Sequence, residues 1–125
     1  MQSETLALVF CVGAGAAIGG IIRFGATKII DTSAFPWATF AVNLVACFFA
    51  AFLAVQFTGS VSEGVRLFFT VGLMGGLSTM STFTTETIDM LYAGSYGNMA
   101  LNIFLNVVVC LIGAIGGREL GLALS

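Results

Sequence analysis

Polar and charged residues fall in short clusters, and four long apolar stretches lie between them. The first stretch covers about residues 4–30; residues 6–22 carry no charge, and the apolar pattern continues past Arg23. Asp31-Thr32-Ser33 ends it, and Phe35-Pro36-Trp37 opens a second stretch that reaches about residue 57. Proline suits a helix's first turn, and tryptophan suits the membrane interface. Thr58-Gly59-Ser60 reads as a tight loop, with Ser60 or Ser62 placed to cap a third helix over about residues 63–92. A turn at Gly94-Ser95-Tyr96-Gly97 then leads to a fourth helix over about residues 98–122. At ~1.5 Å per residue, such helices can cross a ~30 Å hydrocarbon core. The pattern predicts an all-α membrane protein, with one four-span transmembrane domain over residues 1–125.

Composition agrees. Hydrophobic residues make up 58% of the chain and charged residues 8%, against about 25% charged in ordinary soluble domains. The four basic residues form no patch, which points away from nucleic acid. Histidine is absent, so the usual general base and the commonest metal ligand are missing. No nucleophile–base pair stands out, and an enzyme is the class least supported. Cys11, Cys47 and Cys110 are far apart in apolar segments and read as buried small hydrophobes, not as a disulfide framework. No Lys or Arg precedes the first apolar run, so it reads as a retained span and not as a cleaved signal.

Charge also bears on orientation. One set of helix ends carries Arg66 and Arg118, and the other carries Arg23 and Lys28. Two against two gives the positive-inside rule nothing to act on. The chain is expected to insert in both orientations, and two opposite copies can pair as an antiparallel dimer. Gly13, Gly15, Gly19 and Gly20, and Gly113, Gly116 and Gly117, form small-residue faces on the first and fourth helices. Gly15–Gly19 and Gly113–Gly117 have the GxxxG spacing that lets backbones approach closely, and oligomerisation is the expected use.

Polar groups inside a membrane are expensive and tend to mark function. In the third span, Gly75-Gly76 is followed by Ser78, Thr79, Ser81, Thr82, Thr84, Thr85 and Glu86, which is poor material for a regular helix. A break there would release carbonyls for a cation and start a second half-helix whose N–H groups suit an anion. The competing reading is a continuous helix whose hydroxyls bond back to its own carbonyls. Asn43 stands alone in the second span, one turn after Thr39. Asn102, Asn106 and Cys110 lie at i, i+4 and i+8, and so share one helix face. Arg23 either snorkels to the interface or lends positive potential to a vestibule. Spans one, two and four offer neutral donors and no mid-span carboxylate, which suits a small anion.

These residues resemble the CrcB/Fluc fluoride channels over essentially the whole chain. Gly19-Gly20-Ile21-Ile22-Arg23-Phe24 is similar to that family's first-span signature, and Thr39-Phe40-Ala41-Val42-Asn43 to its Thr-x-x-Val-Asn motif. Gly75-Gly76-Leu77-Ser78-Thr79-Met80-Ser81-Thr82-Phe83 resembles the most specific of its motifs, the Gly-Gly-x-Thr/Ser-Thr-Phe-Ser-Thr-Phe run. The resemblance implies an antiparallel, dual-topology homodimer in the cell (inner) membrane, with two fluoride pores. It implies a structural Na⁺ at the dimer centre, held by the backbone carbonyls of Gly75 and Ser78 of each copy, and no organic cofactor. It places Asn43 and Phe83 in the pore wall, with Thr39, Ser81 and Thr82 nearby and Asn102, Asn106 and Cys110 as a polar track. Arg23 and Glu86 would belong to a vestibule.

One position departs from the motif. Met80 stands where the family has the first of two aromatic residues. An aromatic ring edge carries positive charge density that can meet an anion, whereas a thioether is flexible and only a weak acceptor. The departure bears on permeation more than on fold. The expected function is passive export of fluoride from the cytoplasm down its electrochemical gradient. Two rivals are a small dual-topology, proton-coupled exporter of cationic compounds and an assembly subunit without transport. The exporter needs an ionisable mid-span carboxylate; span one offers none after Glu4, and Glu86 and Asp89 come late in span three.

Overall fold

The computed structural model describes every residue except Met1 and Ser60. Helix α1 is Gln2–Ile29 and α2 is Trp37–Gln56. The third span, Glu63–Tyr92, comprises α3, residues 63–77, and α4, Met80–Tyr92. The fourth span is α5, Tyr96–Leu124. All four spans are long and apolar enough to cross a membrane, and the third is the least apolar, with a mean hydropathy of 1.2 against 2.2 for the others.

The spans match the sequence pattern, with local shifts at their ends. Pro36 sits just ahead of α2 (φ −77°, ψ 64°) and not in its first turn. Tyr96 and Gly97 belong to α5 and not to the turn, because the Met99 N–H already donates to Ser95 O at 2.9 Å. The turn closes on Gly94, whose φ of 75° suits glycine. Ser62 caps α3, its side chain accepting from the Val65 N–H at 3.4 Å. The other expected cap, Ser60, lies outside the described residues.

Helix packing follows the glycines. A Cβ on Gly15 would strike Phe68 O, and one on Gly19 would strike Leu73 O and Leu77 N. From the opposite side, a Cβ on Gly72 would lie 2.6 Å from Val12 O. On the other seam, Gly117 faces Phe48 O, and Gly113 sits where a Cβ would lie 2.6 Å from Leu44 Cδ1. The GxxxG faces expected to serve association between copies are therefore spent within one chain, joining α1 to α3 and α5 to α2. Lipid gives helices no hydrophobic reason to associate, so close backbone contact supplies the attraction, and a tethered neighbour is always at hand. Gly13, with nothing within 4 Å of its added Cβ, stays free of these seams.

Only 11% of the most apolar window of α1 and of α5 is buried, against 28% for α2 and for the third span. The second and third spans are thus central. Val42, Ala46, Met74 and Leu77 form the core between them, flanked by Ala26, Ala50, Leu53 and Leu73. Phe10, Ile21, Leu111 and Ile112 point outward, as expected where acyl chains replace water. Two stretches, Phe68–Leu73 and Phe104–Val109, wind as π-helix. Such wide turns concentrate at functional sites, and the second carries Asn106.

Candidate functional site

Between α3 and α4, Ser78 (φ −80°, ψ 159°) and Thr79 (φ −150°, ψ 116°) are extended. Side chains from the neighbouring helices take over the main-chain hydrogen bonds at this point. Asn43 Oδ1 accepts the Thr79 N–H at 2.7 Å, and Asn43 Nδ2 donates to Thr79 O at 3.2 Å. Arg23 Nε donates to Gly76 O at 3.0 Å. Thr79 Oγ1 accepts the Thr82 N–H at 3.2 Å and so caps α4. Because Thr79 and Thr82 send their N–H groups elsewhere, the carbonyls of Gly75 and Ser78 lose the donors that a regular helix supplies four residues on. Back-bonding of hydroxyls occurs as well: Ser78 Oγ donates to Met74 O at 3.1 Å, and Thr84 Oγ1 to Met80 O at 2.8 Å.

Asn43 also begins a chain of donors. Its Nδ2 donates to Asn106 Oδ1 at 2.8 Å, and Asn106 Nδ2 donates to Asn102 Oδ1 at 3.0 Å. Asn102 Nδ2 donates to Thr87 Oγ1 at 3.0 Å, and that hydroxyl donates to Phe83 O at 2.7 Å. Each side chain accepts from one neighbour and donates to the next, and the chain starts and ends on residues 79–87. Asn102 is fully buried with both ends of its amide engaged, which is the condition for a buried polar group to be tolerated.

A cleft of about 190 Å³ opens beside this chain, lined by Asn43, Cys47, Ser78, Thr79, Met80, Phe83, Asn106 and Val107. It adjoins the first turn of α4, whose leading N–H groups and dipole favour negative charge. Phe83 is buried and Met80 is 72% exposed. A second cleft, of about 60 Å³, lies on the other side of Thr79, lined by Arg23, Thr27, Ala38, Thr39, Val42 and Thr82. There Thr39 Oγ1 donates to Glu86 Oε2 at 3.0 Å, while Glu86 Oε1 is buried without a partner. Glu86 also reaches a third cleft, of about 260 Å³, against Thr32–Pro36, Asp89 and Met90.

The residues expected along one path thus divide. Asn43, Met80, Phe83 and Asn106 meet in the first cleft, whereas Thr39 and Thr82 face Arg23 in the second. Ser81 lines neither and is exposed, with its hydroxyl 3.4 Å from Thr79 Oγ1. Asn102 and Cys110 stand behind the wall, and both are buried. Sequence reasoning missed Thr87, Cys47 and the side-chain part played by Thr79. Thr87 had one legible signal, its position a helical turn after Phe83.

Four apolar spans, closely packed on glycine, with clefts beside an extended dipeptide that bring polar groups to membrane depth, define a multi-pass membrane protein. Residues 10–118 match the family model described as CrcB-like protein, Camphor Resistance (CrcB), and the chain belongs to that family. It is 38% identical over 114 residues to a protein of Elusimicrobium minutum named fluoride-specific ion channel FluC, covering 88% of this chain and 90% of that one. Relatives of the same name from Idiomarina loihiensis, at 41% identity over 82% of each chain, and from Sulfurovum sp., at 35% over 90% of this chain and 92% of that one, are similarly close.

Proposed function

We propose that this chain is a passive fluoride channel of the cell (inner) membrane, exporting F⁻ from the cytoplasm down its electrochemical gradient. Relatives that match nearly end to end carry that name, and proton-coupled export of cationic compounds is not favoured. The observation that carries the reading is the first cleft, in which Asn43, Asn106, Met80 and the buried Phe83 meet at the start of α4. It offers neutral donors and a helix N-terminus to a small anion stripped of water. Both Asn43 Nδ2 hydrogens are engaged, by Thr79 O and Asn106 Oδ1. Fluoride therefore passes by exchange: the Asn43–Asn106 bond opens toward the ion and closes behind it. Arg23 and Glu86 form the vestibule that the anion meets first.

The working unit is an antiparallel homodimer with two pores. Ser81, Thr84 and Thr85 are exposed on a membrane span, where a second copy covers polar groups better than lipid does. Gly75 and Ser78 of both copies would hold a central Na⁺. Their carbonyls have lost helical donors, which is how unwound membrane segments offer oxygen to sodium.

Proteoliposomes loaded with fluoride and shunted by potassium and valinomycin test this reading with a fluoride electrode. Fast fluoride loss with little chloride movement is expected, and Phe83→Leu is expected to slow it at least tenfold. Absence of fluoride efflux from monodisperse protein would sink the proposal, and proton-coupled cation uptake would promote its rival.

A further inference from the structure

Cys47 and Cys110 are neighbours across the seam between α2 and α5. They lie one turn beyond the Asn43–Asn106 bond on both helices, and the two pairs share a sequence separation of 63 (106 − 43 and 110 − 47). Cys110 is 3% exposed. Cys47 is half-buried and lines two spaces: the ion cleft beside Asn43 and Phe83, and a groove of about 210 Å³ that includes Met74, Gly75 and Ser78. Cys47 therefore forms part of the wall between the ion cleft and that groove, with the buried Cys110 behind it.

Thiols serve a hard anion poorly and a soft cation well. Among the described residues no three His, Cys, Asp or Glu side chains converge on one point, so a four-coordinate zinc shell is not assembled. Two sulfurs facing each other suit an ion content with two-coordinate, linear thiolate ligation. We propose that Cys47 and Cys110 form a site for a soft, thiophilic metal ion of the Cu⁺, Ag⁺ and Hg²⁺ class, and that its occupation shuts the adjacent ion cleft.

With Hg²⁺ the step balances simply: two S–H bonds break, two Hg–S bonds form, two protons leave to water, and no electron changes hands. Two metal–thiolate bonds make a stiff bridge. That bridge wedges the seam one turn from the Asn43–Asn106 bond, which passing fluoride must open. The block rests on the fluoride-channel reading; the binding does not.

The test uses purified protein carrying Cys11→Ala, so that one thiol pair remains, titrated with mercuric chloride alone. Thiolate-to-mercury absorbance and native mass spectrometry are expected to show one Hg²⁺ per chain, removed by a dithiol and lost in Cys47→Ser and in Cys110→Ser. In vesicles Hg²⁺ is expected to lower fluoride efflux at least tenfold, reversibly, and to leave Cys47→Ser unaffected. Cys47→Ala replaces the serine variant if the latter is not monodisperse. Undiminished mercury binding in the Cys47 variants overturns the site. Stoichiometric binding with unchanged efflux overturns the block. Binding in a protein that passes no fluoride before mercury is added upholds the site and counts against the fluoride reading instead.

Discussion

The two clefts that flank Thr79 share a wall and differ in everything else. On one side, Arg23 brings a full positive charge against Thr39, Thr82 and, through Thr39, the Glu86 carboxylate. On the other, Asn43, Asn106, Met80 and Phe83 offer amide dipoles, a thioether and a ring, and no charge. A fixed cation raises the local concentration of anions, but conduction also needs binding weak enough to let the ion leave. On the proposed reading, the charged cleft collects anions and the neutral one passes them. Thr79 and the Asn43 amide separate them, so the boundary between the two clefts is a main-chain residue braced by the Asn43 side chain.

Asn43→Leu is the most severe way to break that division. It removes the bonds to Thr79 N, Thr79 O and Asn106 Oδ1, and each buried group left unpaired costs about 1–3 kcal/mol. We expect a large drop in detergent melting temperature together with loss of fluoride efflux. Lost efflux at unchanged melting temperature would instead make the amide a pore group and not a brace.

Arg23→Gln should act on collection alone. Efflux is expected to fall about tenfold at low ionic strength. The deficit should shrink several-fold near 1 M salt, where screening reaches ~3 Å. A salt-independent loss would assign Arg23 to holding Gly76 O, not to attracting ions.

Met80→Phe should act on passage alone, and mildly. A second ring edge at the cleft turns its positive rim toward the ion, so efflux or fluoride-over-chloride preference should rise in the vesicle assay. No change in either would mean that the thioether already serves as well.

The smallest expected effect concerns the loop that shapes the Glu86 cleft. Asp31 accepts the Ser33 N–H at 2.9 Å, and that bond holds its carboxyl below the usual 3.8. A lowered folded-state pKa means that the contribution is complete above the ordinary value and fades as pH falls through the lower one. Asp31→Asn is expected to leave efflux at neutral pH unchanged and to remove a slight acid sensitivity of the melting temperature.

Much of this molecule was legible along the chain. The four spans needed only hydropathy and length. The polar run after Gly75-Gly76 marked where the third span would be hardest to keep regular, and it lies where Ser78 and Thr79 are extended. The pairing of Asn43 with Asn106, 63 residues apart, left no local trace. Nor did the choice of Thr39 for Glu86 over the asparagine cleft, since Thr39 and Asn43 occupy the same helix face at i and i+4. The glycine faces were visible, but not the partners that they would meet.

What the sequence determined by itself is what depends on local composition: which segments enter lipid, where hydroxyls and glycines weaken a helix, and which residues have donors to offer. Only the tertiary structure decided how those donors are spent. A hydrogen bond forms between groups that packing brings within about 3 Å, and packing here was fixed by backbone contacts at Gly15, Gly19 and Gly117 and by the Leu44 side chain against Gly113. The contacts of Gly113 and Gly117 set the register of α5 on α2. The register in turn set Asn106 against Asn43 and Cys110 against Cys47.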